Sequence, residues 1–354
     1  MNKLICSSAL ALMIGSQAYA QHEELPLCPP PFEVGTILSP DRYPAAYNAS
    51  AQVNVRTSWD AFLTCSFIYW HADQEGMDLA YPSTYTTSLQ SPENSHYLTQ
   101  NSTYTPGFKC GLGFSLCSDK WAGFFEYTYF RSMTSNDNSH PPEDSRGGTS
   151  VWRPTNWLNS TATTDISSTW HLNMDIIDGT VGRPYYQGRK LTVQPFAGLR
   201  SVLIRQNFHL KGLSFANSTT VASHARSKSW SIGPRAGWKG SWLLGGGFRF
   251  EGDMAANLLY TRYSSVVYHN QSASINFDEL NLLRPSADME LGLGWGSYFD
   301  QQNYHFDLSA SYSFNVMWGQ NQMRSLVDEY QSSVGAEPGD LHLHGVNATL
   351  RLDF

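Results

Sequence analysis

The run HFDLSASYSFNVMW, His305 to Trp318, sorts completely by parity. Phe306, Leu308, Ala310, Tyr312, Phe314, Val316 and Trp318 fall on one list; His305, Asp307, Ser309, Ser311, Ser313 and Asn315 fall on the other. A period of two is the mark of extended backbone, in which successive side chains point to opposite faces. Two environments reward such sorting. A soluble antiparallel sheet rests one face on a core and leaves the other in water, whereas an outer-membrane barrel turns its apolar face to lipid and its polar face to the lumen. At about 3.3 Å per residue the run is long enough to cross a hydrocarbon layer even when tilted, and longer than the five or six residues usual for soluble strands.

Working outward, the pattern recurs. LHLHGVNATLRLDF (341–354) sets Val346, Ala348, Leu350, Leu352 and Phe354 against Asn347, Thr349, Arg351 and Asp353. SADMELGLGWGSYF (286–299), FRFEGDMAANLLY (248–260) and WSIGPRAGWKGSW (230–242) alternate in the same way, and further candidates lie near 59–72, 104–117, 121–132, 165–178 and 191–206. The reading is an all-β fold, a transmembrane antiparallel up-and-down β-barrel of about ten strands, with 10–16 allowed by the usual boundary error. LCSDKW, WLLGGGF and FDQQNY are tight turns, with RPYYQGRK (183–190) a longer one. Long connections are expected around 73–103, 133–164, 207–229, 263–285 and 319–340. Short turns at one rim and long loops at the other describe periplasmic and extracellular ends. Trp59, Trp121, Trp230, Trp242, Tyr260 and Trp318 fall near strand ends, where amphipathic rings form girdles at the lipid headgroups.

Composition agrees. Only 15% of the 354 residues are charged and 14% are aromatic, with 28 Gly and 11 Trp, against roughly a quarter charged in an ordinary soluble domain. A mean hydropathy of −0.36 and the lack of a long apolar run after the first twenty residues exclude a helical membrane protein. A net charge of −7 argues against nucleic acid as a partner. Residues 1–20, MNKLICSSALALMIGSQAYA, have Lys3, an apolar stretch and Ala18-Tyr19-Ala20, the form of a secretory signal peptide. A lipid-modified Cys28 is rejected, because Leu25-Pro26-Leu27 lacks the small residues required. A Pro-rich segment, 21–58, is expected to be periplasmic or plug-like, and the barrel to occupy 59–354. Phe354, a terminal aromatic on an alternating strand, is the usual recognition signal for the barrel assembly machinery, an association rather than a consequence of periodicity.

The lumen list is mixed: Lys109, Arg200, Arg235, Lys239, Arg249 and Arg351 against Glu126, Asp175, Glu251, Asp253, Asp288, Glu290, Asp307 and Asp353. Such groups either line a channel and set ion selectivity or pair and fill a narrow lumen, as small barrels do; Lys239 with Glu251 and Arg235 near Asp253 are the expected pairs. Beyond Cys6 the chain has Cys28, Cys65, Cys110 and Cys117, an even number suited to an oxidising compartment. Cys65 and Cys110 lie at similar heights on consecutive strands, and Cys117 at a turn within reach of Cys28, so Cys65–Cys110 and Cys28–Cys117 are the expected bridges, with free thiols the alternative.

The segment WHLNMDIIDGTVGRPYYQGRKLTVQPFAGLRSVLIRQNF (170–208), followed in order by SIGPRAGW, MAANLLY, ADMELGLGWG, MWGQNQM and DLHLHGVNATLRLDF, resembles the Legionella major outer membrane protein family, with relatives in chlamydia-related bacteria. That resemblance implies a pore-forming outer-membrane barrel that also contributes to envelope integrity, without catalytic residues. It also admits homo-oligomers, or disulfide-linked envelope proteins with bridges between chains. The expected function is a porin-like channel for ions and small hydrophilic solutes. The alternative is a non-conducting surface barrel that acts as an adhesin through loops such as SNDNSHPPEDSRGG. An omptin-like protease is the nearest enzymatic rival, but no positioned acid–base pair stands out. No cofactor is expected, and His342 and His344 alone supply too few ligands for a metal. GLGWG alternates along a strand instead of opening a phosphate-binding helix.

Overall fold

The structure is a computed structural model that describes residues 61–82, 99–115, 121–139, 148–150, 163–183, 186–187, 190–214, 220–270, 274–299, 303–332 and 337–354. The expected signal peptide, the Pro-rich segment, Trp59, Cys28 and Cys117 lie outside the described residues. In chain order the strands are β1 (Ala61–Gln74), β2 (Ala80–Pro82), β3 (Tyr104–Ser115), β4 (Ala122–Ser139), β5 (Gly148–Ser150), β6 (Thr163–Gly182), β7 (Tyr186–Gln187), β8 (Leu191–Ser214), β9 (Thr220–Gly245), β10 (Phe248–Asn270), β11 (Ser274–Phe277), β12 (Leu280–Phe299), β13 (Tyr304–Asn321) and β14 (Gly339–Asp353). One helix, α1 (Gln322–Ser332), sits between β13 and β14.

Ten long strands pair antiparallel in the order β6-β4-β3-β1-β14-β13-β12-β10-β9-β8, and a further pairing of β8 with β6 closes the ring. Closure leaves no unpaired sheet edge, the condition for strands to cross lipid. At one rim Gly245, Gly246 and Gly247 all have positive φ and turn β9 directly into β10. That backbone is open to glycine at little cost. The opposite rim carries the longer connections and α1.

On β13 the sorting appears as burial. Leu308 and Phe314 are each 51% exposed on the outer wall, while His305 and Asp307 face inward at 4% and 2%. Along β9 the outward row from Trp230 to Leu244 also contains Ile232, Ala236, Trp238 and Trp242. Fourteen residues of rise at about 3.4 Å, tilted about 45°, give a band of roughly 33 Å, enough for the hydrocarbon layer. Trp230 meets Tyr260 edge-on at its upper border. Trp121, Trp242 and Trp318 are exposed as well, so the described aromatics of the expected girdles stand on the outer wall.

The strands run further than periodicity indicates. β8 reaches Ser214 and β9 resumes at Thr220, β10 reaches Asn270, and β4 reaches Ser139, so the ladder occupies much of the chain expected as loop. Above the lipid band the sorting inverts. On β6, Ile166, Trp170, Leu172, Met174 and Ile176 are buried inside, with His171 and Asn173 facing out. They pack with Ile68, Trp70, Phe130, Val202, Ile204, Phe208, Tyr263 and Tyr268 into one core that fills the upper barrel. The reading that each strand turns its polar list to the lumen along its whole length is corrected here: where the wall stands in water outside, only the inside offers burial, and the apolar row turns inward.

Two segments close this core from the extracellular side. Met77 and Leu79, just after β1, and Met323, Leu326 and Val327 of α1 are buried within it. The spacing of these three helical residues puts them on one face. Asn321 caps the helix, its Oδ1 accepting the Arg324 N–H at 3.2 Å.

Candidate functional site

The lower interior, toward the short turns, is charged. Its centre is Asp288 on β12, whose carboxylate accepts two hydrogen bonds from the Arg235 guanidinium at 2.6 Å each. It accepts another from Arg200 Nη1 at 2.7 Å and one from Asn257 Nδ2 at 3.1 Å. Arg200 also grips Asp178 with two bonds of 2.7 Å. The side chain of Arg200 is only 6% exposed. This salt-bridged layer lies across the barrel between the apolar core and the space below. Buried charges persist where geometry is good and every donor finds an acceptor.

Below the layer the ion pairs loosen. Lys109 faces Glu290 at 3.6 Å and Lys239 faces Asp253 at 3.6 Å. The side chains of Lys239 and Asp253 are 43% and 33% exposed, so water reaches them. Arg249 bonds Glu251 and Asp307. Near the rim, Arg351 pairs with Asp353, and His305 Nδ1 lies 3.0 Å from Asp353. The Arg351 guanidinium carbon also lies over the Phe62 ring, 3.8 Å from its centre. Glycine on the inner row of β12 makes room for Arg249: a Cβ at Gly294 would stand 3.2 Å from the Arg249 Nε.

Sequence pattern and structure can be compared residue by residue. Lys109, Glu126, Arg200, Arg235, Lys239, Arg249, Glu251, Asp253, Asp288, Glu290, Asp307, Arg351 and Asp353 occupy the inward rows. Asp175 does not. Its neighbours Met174 and Ile176 are buried inside, and Asp175 faces outward, taking two 2.8 Å bonds from Arg131 and one of 2.8 Å from the Tyr127 hydroxyl. The reason is the inversion on β6, where apolar side chains point in. Asp178, three residues on, has the inward parity and was missed; continuing the row Trp170, Leu172, Met174, Ile176 would have found it. The pairing is also corrected: Lys239 takes Asp253, its direct register partner, and Arg235 takes Asp288 on a strand two places away.

Cys65 and Cys110 are register partners on β1 and β3, on the outward parity. Their sulfurs are 3.6 Å apart as free thiols. At the upper rim Glu75, Asp340 and His342 bring one ligand atom each within 4.8 Å of one another. Asp340 Oδ1 already accepts the Gly319 N–H at 2.7 Å, and Glu75 faces His342 at 3.5 Å. Ion pairing at the seam of β1 and β14 accounts for this trio.

A closed antiparallel ring with an apolar belt outside, girdle aromatics at its borders and charge within defines an outer-membrane β-barrel. The family model described as the Legionella pneumophila major outer membrane protein precursor matches residues 53–354. The chain belongs to that family, and its location is the bacterial outer membrane. No curated protein matches it. Among solved structures it is similar to the outer membrane protease OmpT from Escherichia coli, with 9% identity over 86% of this chain and 99% of that one and a TM-score of 0.45. It is also similar to the Pseudomonas putida toluene transporter TodX, with 9% identity over 84% and 90% and a TM-score of 0.28. A FadL homologue from Pseudomonas aeruginosa matches at 9% identity over 83% and 89%, with a TM-score of 0.27.

Proposed function

We propose that the barrel is a gated, porin-like channel for ions and small hydrophilic solutes that also serves as a structural unit of the envelope. The observation that carries this reading is the split interior. A wet, charged vestibule occupies the lower half, and the dry block above it is completed by two segments outside the barrel wall, Met77–Leu79 and α1. A plug built from such segments can move while the wall stays closed. The block also has polar defects: both amide atoms of Gln74 and of Gln206 are buried without a hydrogen-bond partner among the described residues. Each such atom costs about 1–3 kcal/mol in a dry core and is relieved when water enters. The lower interior carries the carboxylates Glu126, Asp178, Glu251, Asp253, Asp288, Glu290, Asp307 and Asp353 against the cations Lys109, Arg200, Arg235, Lys239, Arg249 and Arg351. The excess of acid predicts a cation preference.

Planar-bilayer recording tests this. Wild type should show brief steps with a cation-selective reversal potential. Leu326→Ser/Val327→Ser, which loosens α1, should raise the open probability at least several-fold. Absence of steps in both proteins would remove the channel reading. A second reading, a closed barrel acting on the cell surface through its extracellular face, is favoured by the continuity of the apolar core across the upper lumen. It is the outcome that such silence would support.

A further inference from the structure

The chain is acidic overall, at −7, yet β8 and β9 together contain seven basic residues and no Asp or Glu. Arg200, Arg235 and Lys239 face the lumen and are paired there. The other four, Arg205, Lys211, Arg226 and Lys228, are on the outer wall. Among the described residues none of the four has an acidic partner. Other outward cations nearby are neutralised: Arg131 by Asp175, and Arg262 by Glu279.

Register sharpens the point. Arg205 stands directly opposite Lys228, and the row continues to Asn173 on β6 and Ser265 on β10. A directly opposed pair of like charges weakens a sheet unless an anion lies between them. One row higher, Arg226 faces Asn207. Above that, His209, His224 and His269 stand side by side across three strands, with the first two rings stacked at 4.1 Å. One row below Arg205 and Lys228, Leu203 faces Trp230 at the upper border of the lipid band. The basic rows therefore begin where acyl chains end and headgroups start.

We propose that Arg205, Lys211, Arg226 and Lys228 form a binding site for the phosphorylated headgroup of the outer-leaflet glycolipid, with Arg205 and Lys228 straddling one phosphate. The patch lies on the side of the wall and opens laterally into the leaflet; on β8 and β9 its lower edge is the apolar and aromatic pair Leu203 and Trp230, flanked in the same row by Asp175 and Arg262, each already ion-paired. That combination fits a lipid, whose chains lie against Trp230 and Leu203 while its phosphates meet the guanidinium and ammonium groups. The site is independent of whether the lumen conducts.

The test uses the whole barrel in non-ionic detergent. Its thermal unfolding midpoint is followed on adding purified lipopolysaccharide, dephosphorylated lipopolysaccharide, or inorganic phosphate. The intact glycolipid should raise the midpoint, and the other two should not. Removing two surface cations should weaken binding by roughly 30-fold. Arg205→Ser/Lys228→Ser should show that loss while its midpoint in lipid-free detergent stays equal to or above that of wild type, because the variant relieves repulsion. Lys211→Gln/Arg226→Gln supplies a second reading of the same site, and Arg262→Ser, at similar height but paired, should bind as wild type does. The proposal is overturned if dephosphorylated lipid or inorganic phosphate reproduces the full shift, or if both double variants retain it.

Discussion

Asp288 accepts hydrogen bonds from three side chains on three strands, Arg200, Arg235 and Asn257. Its replacement by alanine leaves two guanidinium groups facing each other in a dry layer. Breaking a buried pair from one side costs about 3–5 kcal/mol, so Asp288→Ala should lower the urea midpoint of the folded barrel markedly. Arg262→Ala removes an ion pair whose side chains are 41% and 60% exposed, and should cost under about 1 kcal/mol. Equal effects would mean that the buried layer is not a structural clamp. The cysteines make a separate prediction at this scale. Cys65 and Cys110 are direct cross-strand partners, and their sulfurs, 3.6 Å apart, must close to the roughly 2.05 Å of a disulfide. We predict that protein from an oxidising compartment carries this bridge within the chain. Peptide mapping without reductant should find the two peptides joined, and full alkylation of both thiols before reduction would contradict it.

At the scale of elements, the lipid-crossing parts of the strands were legible because one rule governs them: apolar side chains face out. Leu308, Phe314, Trp238 and Leu291 all obey it, and all are exposed on the wall. We predict that Leu291→Arg, near the middle of the band, costs about 2–4 kcal/mol of folding free energy in lipid vesicles. Ser135→Arg, exposed on the outer face of β4 above the band and opposite the uncharged Thr169, should change it by less than about 0.5 kcal/mol. Tolerance of arginine at position 291 would mean that this row does not touch acyl chains. The rule failed above the band, where water replaces lipid outside and the same alternation has the opposite sense. Trp170, Leu172 and Met174 read as an oily face in either case, and sequence alone does not say which solvent borders it. Asp175 was misplaced and Asp178 overlooked for that one reason. Helix α1 was missed for another: its apolar face is three residues long and its cap, Asn321, is a single polar residue at the end of a strand, a faint signal beside long strands on both sides.

Across the whole molecule, two solvents outside and two environments inside divide the barrel at nearly the same height. Lipid surrounds a charged, partly wet lower interior, and water surrounds a dry upper core. The Asp178–Arg200–Asp288–Arg235 layer lies at the crossover, where wall strands such as β6 and β8 change the face on which they bury apolar surface. This arrangement explains why the charged site was largely readable from sequence while the plug was not: the charges are excluded from lipid wherever they occur, whereas the plug depends on where the lipid stops. It also fixes an orientation that can be measured. With short turns in the periplasm, Lys211 lies on the outer wall of the extracellular extension, and Lys239 lies inside the lower vestibule. A bulky amine-reactive reagent that crosses neither the outer membrane nor the upper core should modify Lys211 on intact cells, at a rate slowed by any phosphate it holds, and leave Lys239 untouched. After the membrane is opened from the periplasmic side, Lys239 should become reactive, since its side chain is 43% exposed. Modification of Lys239 on intact cells, with Lys211 protected, would reverse the barrel in the membrane and remove the basic rows of β8 and β9 from the outer leaflet.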